Sequence, residues 1–198
     1  IQSSAAYRDG LVELQDAASQ AVVAALPLRA GLTVLDYCAG GGGKTLAMAA
    51  AARIEVFAHD ADPRRMRDLP ARAERAGVPL RTLDTAAARA RRYDLVLLDV
   101  PCSGSGSWRR APEGKWALTA QRLDQLCRIQ AGILDETHTL VASGGTLAYV
   151  TCSLLAEENA AQIEAFLDRV PGWRLSLQQN LTPLDGGDGF HVSLLTRL

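Results

Sequence analysis

Two cysteines stand where a nucleophile would be placed. Cys102 follows the apolar run Tyr93–Leu98 in the stretch Asp99-Val100-Pro101-Cys102-Ser103-Gly104, and Cys152 follows Thr146–Thr151 in Thr151-Cys152-Ser153. A thiol becomes a strong nucleophile once ionised, and a helix N-terminus or a nearby cation promotes that ionisation. Cys152 lies between a predicted strand and a predicted helix, whose first amides would lower its pKa. Cysteine is also a common small core residue, so Cys127, in mid-helix, and for the most part Cys38 are read as packing rather than as nucleophiles.

The second chemical element is Thr33-Val34-Leu35-Asp36-Tyr37-Cys38-Ala39-Gly40-Gly41-Gly42-Gly43-Lys44-Thr45. A short apolar run ends at an acid, a glycine-rich turn follows, and an Ala-rich helical segment comes next. That order is how an open α/β sheet builds a nucleotide or cofactor site, because glycines let the backbone approach a ligand closely. Two ligand chemistries fit the loop. A phosphate-binding loop, G-x-x-x-x-G-K-[ST], matches in its second half at Gly43-Lys44-Thr45, with Asp99 as the magnesium-side acid, but its first glycine falls on Cys38. S-adenosylmethionine is a sulfonium carrying adenosine and no phosphate, so its site asks for carboxylates at strand ends, and Asp36, Asp60, Asp84 and Asp99 are available. A thiol beside a methyl donor points to one reaction in particular. C5 of a pyrimidine is too electron-poor to take a methyl group directly. Thiolate attack at C6 turns C5 into an enamine-like carbon, an acid near N3 stabilises the developing charge, and a base then removes the C5 proton so that the thiol can leave.

These residues need elements to hold them. Residues 1–10 read as a lead-in. Val12 to Leu26 has helical spacing of Leu14, Ala18, Ala21, Val22 and Ala25, with Pro27 at its end. Leu32–Asp36 and Ile54–His59 read as strands, Pro63 opens a helix to about Ala76, and Leu80–Leu83 is a third short strand ending at Asp84. Tyr93–Leu98 is apolar throughout, as expected of a parallel strand covered on both faces. After an irregular stretch from Pro101 to Trp116, a helix is expected over Thr119–Val141. Ser143-Gly144-Gly145 then turns the chain into the strand Thr146–Thr151. A helix over Ala156–Val170 and two closing strands, Trp173–Leu177 and Gly189–Leu195, complete the chain. Strands alternating with helices predict a doubly wound, mostly parallel α/β sheet whose ligand crevice lies outside the carboxyl ends of the strands, where all the distinctive residues fall.

The bulk properties agree with one such domain. The chain has 198 residues, 48% of them hydrophobic, and a formal charge of −1. No apolar run is long enough for a membrane span, and no signal peptide opens the sequence. The four cysteines are far apart with no C-x-x-C pair, and His59, His138 and His191 lack ligand spacing. Free thiols in a reducing cytoplasm are therefore expected, with neither disulfides nor a metal site. A monomer is favoured. Charge is unevenly spread: nine arginines lie between Arg64 and Arg92, and Arg109, Arg110 and Lys115 flank Cys102. The first group reads equally well as a solvated face, whereas the second is assigned to phosphate contacts with a nucleic acid.

The chain resembles the RNA cytosine-5 methyltransferases of the RsmB (Fmu, Sun) type. The resemblance is carried by Val12 through Gln20, Asp36 through Thr45, Asp99 through Gly104, Arg109-Arg110 through Pro112, Lys115-Trp116, Thr151-Cys152-Ser153 with Glu157-Glu158-Asn159, and Asp188-Gly189-Phe190. It implies a Rossmann-like methyltransferase fold with an antiparallel closing strand, S-adenosylmethionine as cofactor, and RNA, with small-subunit rRNA foremost, as partner. It implies Cys152 as the nucleophile on C6 and Cys102 as the group that assists release of the adduct. Asp99 would contact the target base and the donor. The loop Cys38, Ala39, Gly40, Gly41, Gly42, Gly43 and Lys44 would wrap the methionine part, Asp60 would hold the ribose, and Asp84 the adenine edge.

Two departures accompany the resemblance. Gly40 and Gly41 replace the Ala and Pro of the usual Cys-Ala-Ala-Pro-Gly-Gly-Lys loop. The expected result is a more flexible loop with weaker cofactor affinity, since ordering it costs entropy. Relatives also carry an N-terminal RNA-binding extension, so residues 1–198 are expected to form the catalytic domain alone. The rival readings are a P-loop ATPase and a non-catalytic RNA-binding protein on the same fold.

Overall fold

The computed structural model describes residues 1–198. The strands are β1 (Thr33–Asp36), β2 (Glu55–Ala58), β3 (Leu80–Thr82), β4 (Tyr93–Asp99), β5 (Val141–Thr151), β6 (Trp173–Leu181) and β7 (Phe190–Arg197). The helices are α1 (Ala5–Arg8), α2 (Ala17–Ala24), α3 (Gly43–Ala51), α4 (Leu69–Arg75), α5 (Thr85–Arg89), α6 (Glu113–Ala117), α7 (Ala120–Thr137) and α8 (Ala160–Arg169). All seven strands join one sheet in the order β3-β2-β1-β4-β5-β7-β6. Every pairing is parallel except those of β7, which runs antiparallel to both β5 and β6. The sheet is thus mostly parallel, as the alternating pattern predicts, with the antiparallel strand that the family resemblance implies.

Strand periodicity splits the core into two layers. Leu35, Val96, Leu98, Leu147 and Tyr149 point to one face, against Leu134 of α7 and Ile163 and Phe166 of α8. Val34, Leu95, Leu97, Ala148 and Val150 point to the other, against Val22 and Val23 of α2 and Met48 of α3. Because both faces are covered, the central strands read as unbroken apolar runs in sequence.

Several elements differ from the sequence expectation for local reasons. The helix expected from Val12 begins only at Ala17, because the Asp16 carboxylate accepts from the Ala18 and Ser19 amides (2.9 and 3.4 Å) and starts it there. The helix expected from Pro63 is broken into a 3-10 turn, Pro63–Met66, and α4. Pro70 has no N–H to continue the first turn's bonding and is accommodated only in the opening turn of a new helix. The long helix stops at Thr137 and passes through a 3-10 turn into β5, which is eleven residues long. Ser143-Gly144-Gly145 is a bulge inside β5 rather than a turn before it: Tyr93 pairs with Val141 and Leu95 with Thr146. α5 and α6 were not anticipated; both are five residues long, too short to show a helical period.

The topology sets where a ligand can sit. Strand order reverses between β1 and β4, and at such a switch point the loops leaving the carboxyl ends open a crevice. The glycine loop leaves β1 there and runs into α3 through Gly42, which has φ +79°. A Cβ on Gly42 would lie 2.1 Å from Cδ1 of Leu69, a fully buried residue of α4. Gly42→Ala is therefore expected to destabilise the protein by about 2–4 kcal/mol through backbone strain and overpacking. Urea unfolding should show a lowered midpoint at unchanged slope; an unchanged midpoint would contradict the packing described.

Candidate active site

The two cysteine loops leave adjacent strands at one level. In the parallel pair β4·β5, Leu98 stands opposite Tyr149 and Asp99 opposite Val150, and the Val100 amide continues the ladder to the Val150 carbonyl at 3.0 Å. The Gly106 amide donates to the Cys152 carbonyl, also at 3.0 Å, which folds the first loop against the second. The result is a Cys102 Sγ to Cys152 Sγ distance of 3.3 Å, with both residues half-buried.

Thiols this close share one proton preference. Cys152 is pushed below the ordinary thiol range, first because Cys102 donates a hydrogen bond to it, and Lys44 adds to the effect against the opposing pull of burial and of Asp99. Cys102 is pushed well up by the same hydrogen bond and by burial, with the nearby Glu158 charge adding to it. Of the two, Cys152 is the more acidic thiol. The helix amides expected to activate Cys152 are not the cause: α8 starts only at Ala160, and the sulfur partner does that work.

The glycine loop lies beside this pair. The Gly40 amide donates to Asp60 Oδ2 at 2.9 Å, and Asp60 is also held by the Asp62 amide and by Arg65 at 3.1 Å. The Gly41 carbonyl accepts from Arg72, which is braced by Glu13 at 3.1 Å. The two extra glycines are thus tied at both peptide ends to neighbouring side chains. Lys44 Nζ is buried, 2.7 Å from Asp99 Oδ2 and 4.8 Å from the centre of the Phe190 ring. Cys38, also close by, is raised well above its usual value by burial and by the charges of Asp36, Asp99 and Asp60.

A cavity of about 360 Å³ opens here, within the range of small-molecule sites. Its walls include Cys38, Gly40, Lys44, Asp99, Cys152 and Phe190. Of the residues assigned from sequence, Asp60 sits behind the loop rather than on the cavity wall. Asp84 is exposed and caps α5 by accepting from the Ala87 amide at 2.8 Å, outside the cavity lining. Arg109 and Arg110 both bind Asp188, which is only 2% exposed, while their own side chains stay half in solvent. Lys115 is exposed beside Trp116, an aromatic ring that is 83% exposed. A larger depression of about 670 Å³ lies between residues 10–15, α3 and Gly77-Val78-Pro79; it is mostly apolar and contains neither Cys102 nor Cys152.

Sequence reasoning gave no site role to Phe190, Asp188 or Gln15, all of which line the smaller cavity. The signal for the first two was present in Asp188-Gly189-Phe190, just before a strand. An antiparallel strand begins where its parallel neighbours end, so Phe190 must return to the cysteine side. No cluster of three His, Cys, Asp or Glu side chains is arranged to hold a metal ion. No helix is long and apolar enough to cross a membrane.

Comparisons with known proteins bear on this arrangement. The family model described as "16S rRNA methyltransferase RsmB/F" matches residues 23–195. The chain is 38% identical over 207 aligned positions to the ribosomal RNA small subunit methyltransferase B of Salmonella arizonae, covering 96% of this chain and 48% of that protein. It is similar to the crystal structure of PH0851 at a TM-score of 0.91 and 30% identity, covering 98% of this chain and 49% of that one. It is also similar to a methyltransferase homolog protein from Pyrococcus horikoshii, at a TM-score of 0.85 and 27% identity over 100% of this chain and 72% of that one. The chain spans about half the length of the curated relatives it matches.

Asp36, at the end of β1, offers a test of the site's electrostatics. It is fully buried; Oδ2 accepts from Thr45 at 2.6 Å, and Oδ1 has no partner. Burial, opposed by the Thr45 hydroxyl and reinforced by Asp99, raises its pKa from 3.8 to about 7. Between those values the native state holds a proton that the unfolded chain has released. This contribution to stability is therefore full below about pH 4, declines as pH rises and is gone above about pH 7. Asp36→Asn, which mimics the protonated form, should flatten that slope and stabilise the ligand-free protein at pH 8 by on the order of 3 kcal/mol. Urea unfolding between pH 4.5 and 8 reads this directly, and parallel pH profiles for the two proteins would refute it.

Proposed function

Because this chain belongs to the RsmB/F family of 16S rRNA methyltransferases, we propose that it methylates C5 of a cytosine in RNA, foremost in small-subunit rRNA, using S-adenosylmethionine. The observation that carries the reading is Cys152 on the wall of a cavity that also bears the glycine loop and Asp99, with the Cys102 sulfur 3.3 Å behind it.

The residues present fit the cofactor better than they fit a nucleotide phosphate. The lining offers Asp16, Asp99 and Asp188 as acceptors, and beneath it one buried carboxylate oxygen, Asp36 Oδ1, lacks a partner. Its buried lysine is already neutralised by Asp99, so a phosphate would have to compete for it. When bound, S-adenosylmethionine supplies an electrophilic methyl group. In the assignment proposed, the loop from Cys38 through Ala39, Gly40, Gly41, Gly42 and Gly43 to Lys44 holds the methionine part. Asp60 takes the ribose and Asp84 the adenine edge on the family pattern.

The chain's own residues then divide the chemistry. Cys152 Sγ, the more acidic thiol, attacks C6, and the C5–C6 π electrons make C5 nucleophilic. Asp99, 32% exposed at its side chain, faces the base and donor region and steadies Lys44. After methyl transfer the C5 proton must leave and the Sγ–C6 bond must break. Cys102 is the base or proton relay for that release: it passes its own proton to solvent and takes up the C5 proton, so that one proton leaves overall. Extrusion of the target base from its helix brings C6 to the cleft. Arg109 and Arg110, half-exposed although paired with Asp188, and the exposed Lys115 are assigned to RNA phosphates. A reducing cytoplasm suits a reaction that needs both thiols reduced, and a single catalytic domain over residues 1–198, acting as a monomer, completes the reading.

Cys152→Ala is expected to abolish methylation, whereas Cys102→Ala should accumulate a covalent protein–RNA species visible as a shifted band on denaturing gels. Methylation by Cys152→Ala would remove it from the nucleophile's role. Calorimetry should show binding of S-adenosylmethionine and none of ATP with magnesium; the reverse would favour the P-loop reading.

A further inference from the structure

Glu158 is completely buried, yet every group that binds it is neutral. Its Oε1 accepts from the Ser103 amide at 2.8 Å and from Gln130 Nε2 at 3.0 Å. Its Oε2 accepts from the hydroxyls of Ser103 and Ser153, both at 2.5 Å. Four donors thus meet the four lone-pair directions of one carboxylate. Ser103 directly follows Cys102, and Ser153 directly follows Cys152. Gln130, reaching across from α7, also donates to the carbonyl of Pro101, the residue before Cys102, at 3.0 Å. The Glu158 carbonyl is held in turn by the Tyr149 hydroxyl at 2.6 Å, which ties the carboxylate to β5.

We propose that Glu158 is a positioning residue that sets the separation of Cys102 and Cys152 by gripping the serine beside each. The catalytic consequence rests on the methyltransferase reading; the geometric claim does not. An isolated buried charge is unfavourable, and a carboxylate without a cation persists only where its hydrogen bonds are complete. Here three of the four donors belong to the two cysteine loops, so the loops reach their shared geometry in the act of satisfying this buried side chain. Ser105 Oγ joins the same network, 3.0 Å from Ser153 Oγ and accepting from the Leu154 amide at 2.8 Å, so neither loop can shift alone without orphaning a buried group. Sequence reading placed Glu158 among the residues of the family match without a task; this network supplies one.

The test needs no RNA. Dibromobimane fluoresces once two thiolates have each displaced one of its bromides, so its rate of double alkylation reads how well the two sulfurs are juxtaposed. Peptide mass spectrometry locates the bridge at Cys102 and Cys152. Glu158→Ala is expected to slow bridging by about tenfold or more, and on RNA to lower kcat by on the order of 100-fold at nearly constant KM while covalent adduct builds up. Glu158→Gln retains chain length and both terminal atoms, and the serine hydroxyls can rotate to accept from it. It should keep bridging and turnover within about threefold of the unaltered protein. Bridging in Glu158→Ala at the rate of the unaltered protein, or lost turnover without adduct, overturns the proposal. If Glu158→Ala does not fold, Ser153→Ala replaces it, with slowed bridging expected and an unchanged rate again decisive against. Absence of any RNA methylation by the unaltered protein would sink the methyltransferase reading, while the bridging rates would still decide the clamp.

Discussion

Parallel neighbours in a sheet lie about 4.8 Å apart, and their loops exit on the same side. In this molecule that spacing, between β4 and β5, lets two side chains distant in sequence share a proton. Asp99 and Val150 are register partners, Cys102 follows three residues after the first and Cys152 two residues after the second, and their sulfurs meet at 3.3 Å. The buried ladder beneath them, Val96, Leu98, Leu147 and Tyr149, is what keeps this register from slipping. A shift by one residue would exchange the side chains packed on α7 and α8 for those packed on α2 and α3.

Above that ladder the molecule gathers its buried charges. Asp36, Lys44, Asp60, Glu158 and Asp188 all lie at the carboxyl end of the sheet and are all at most 8% exposed. Each has a specific answer to the penalty of burial. Lys44 and Asp99 neutralise one another, Asp60 collects two backbone amides and Arg65, Glu158 collects neutral donors, and Asp188 takes two arginines. Asp36 alone has an unanswered oxygen, and its raised pKa is the result.

β7 completes the site by running the other way. Its first residues emerge where β5 ends, so Asp188 and Phe190 return to the cysteines, and Gly189 packs so closely on Gly106 that a Cβ at Gly106 would lie 2.0 Å from its carbonyl oxygen. The segment before α2 closes the opposite side. Its Asp16 carboxylate both starts the helix and accepts from the Asp188 amide at 3.2 Å. Chain ends and centre are thereby locked around one opening.

Much of this was legible from residue order. Unbroken apolar runs ending in acids announced parallel strands covered on both faces, and the Gly-rich turn after Asp36 announced a ligand loop, because burial and backbone freedom act locally and leave marks at fixed spacing. The types Pro-Cys-Ser and Thr-Cys-Ser, each at a strand end, pointed to paired thiols. Tertiary structure alone brought the two sulfurs within 3.3 Å across fifty residues and set the charges of Lys44 and Glu158 near them, which no local pattern records. It alone turned Arg109 and Arg110 toward Asp188, set Asp84 outside the cavity and gave Glu158 its four donors. Side-chain partners are chosen by distance in the fold, and a linear pattern carries no information about that distance.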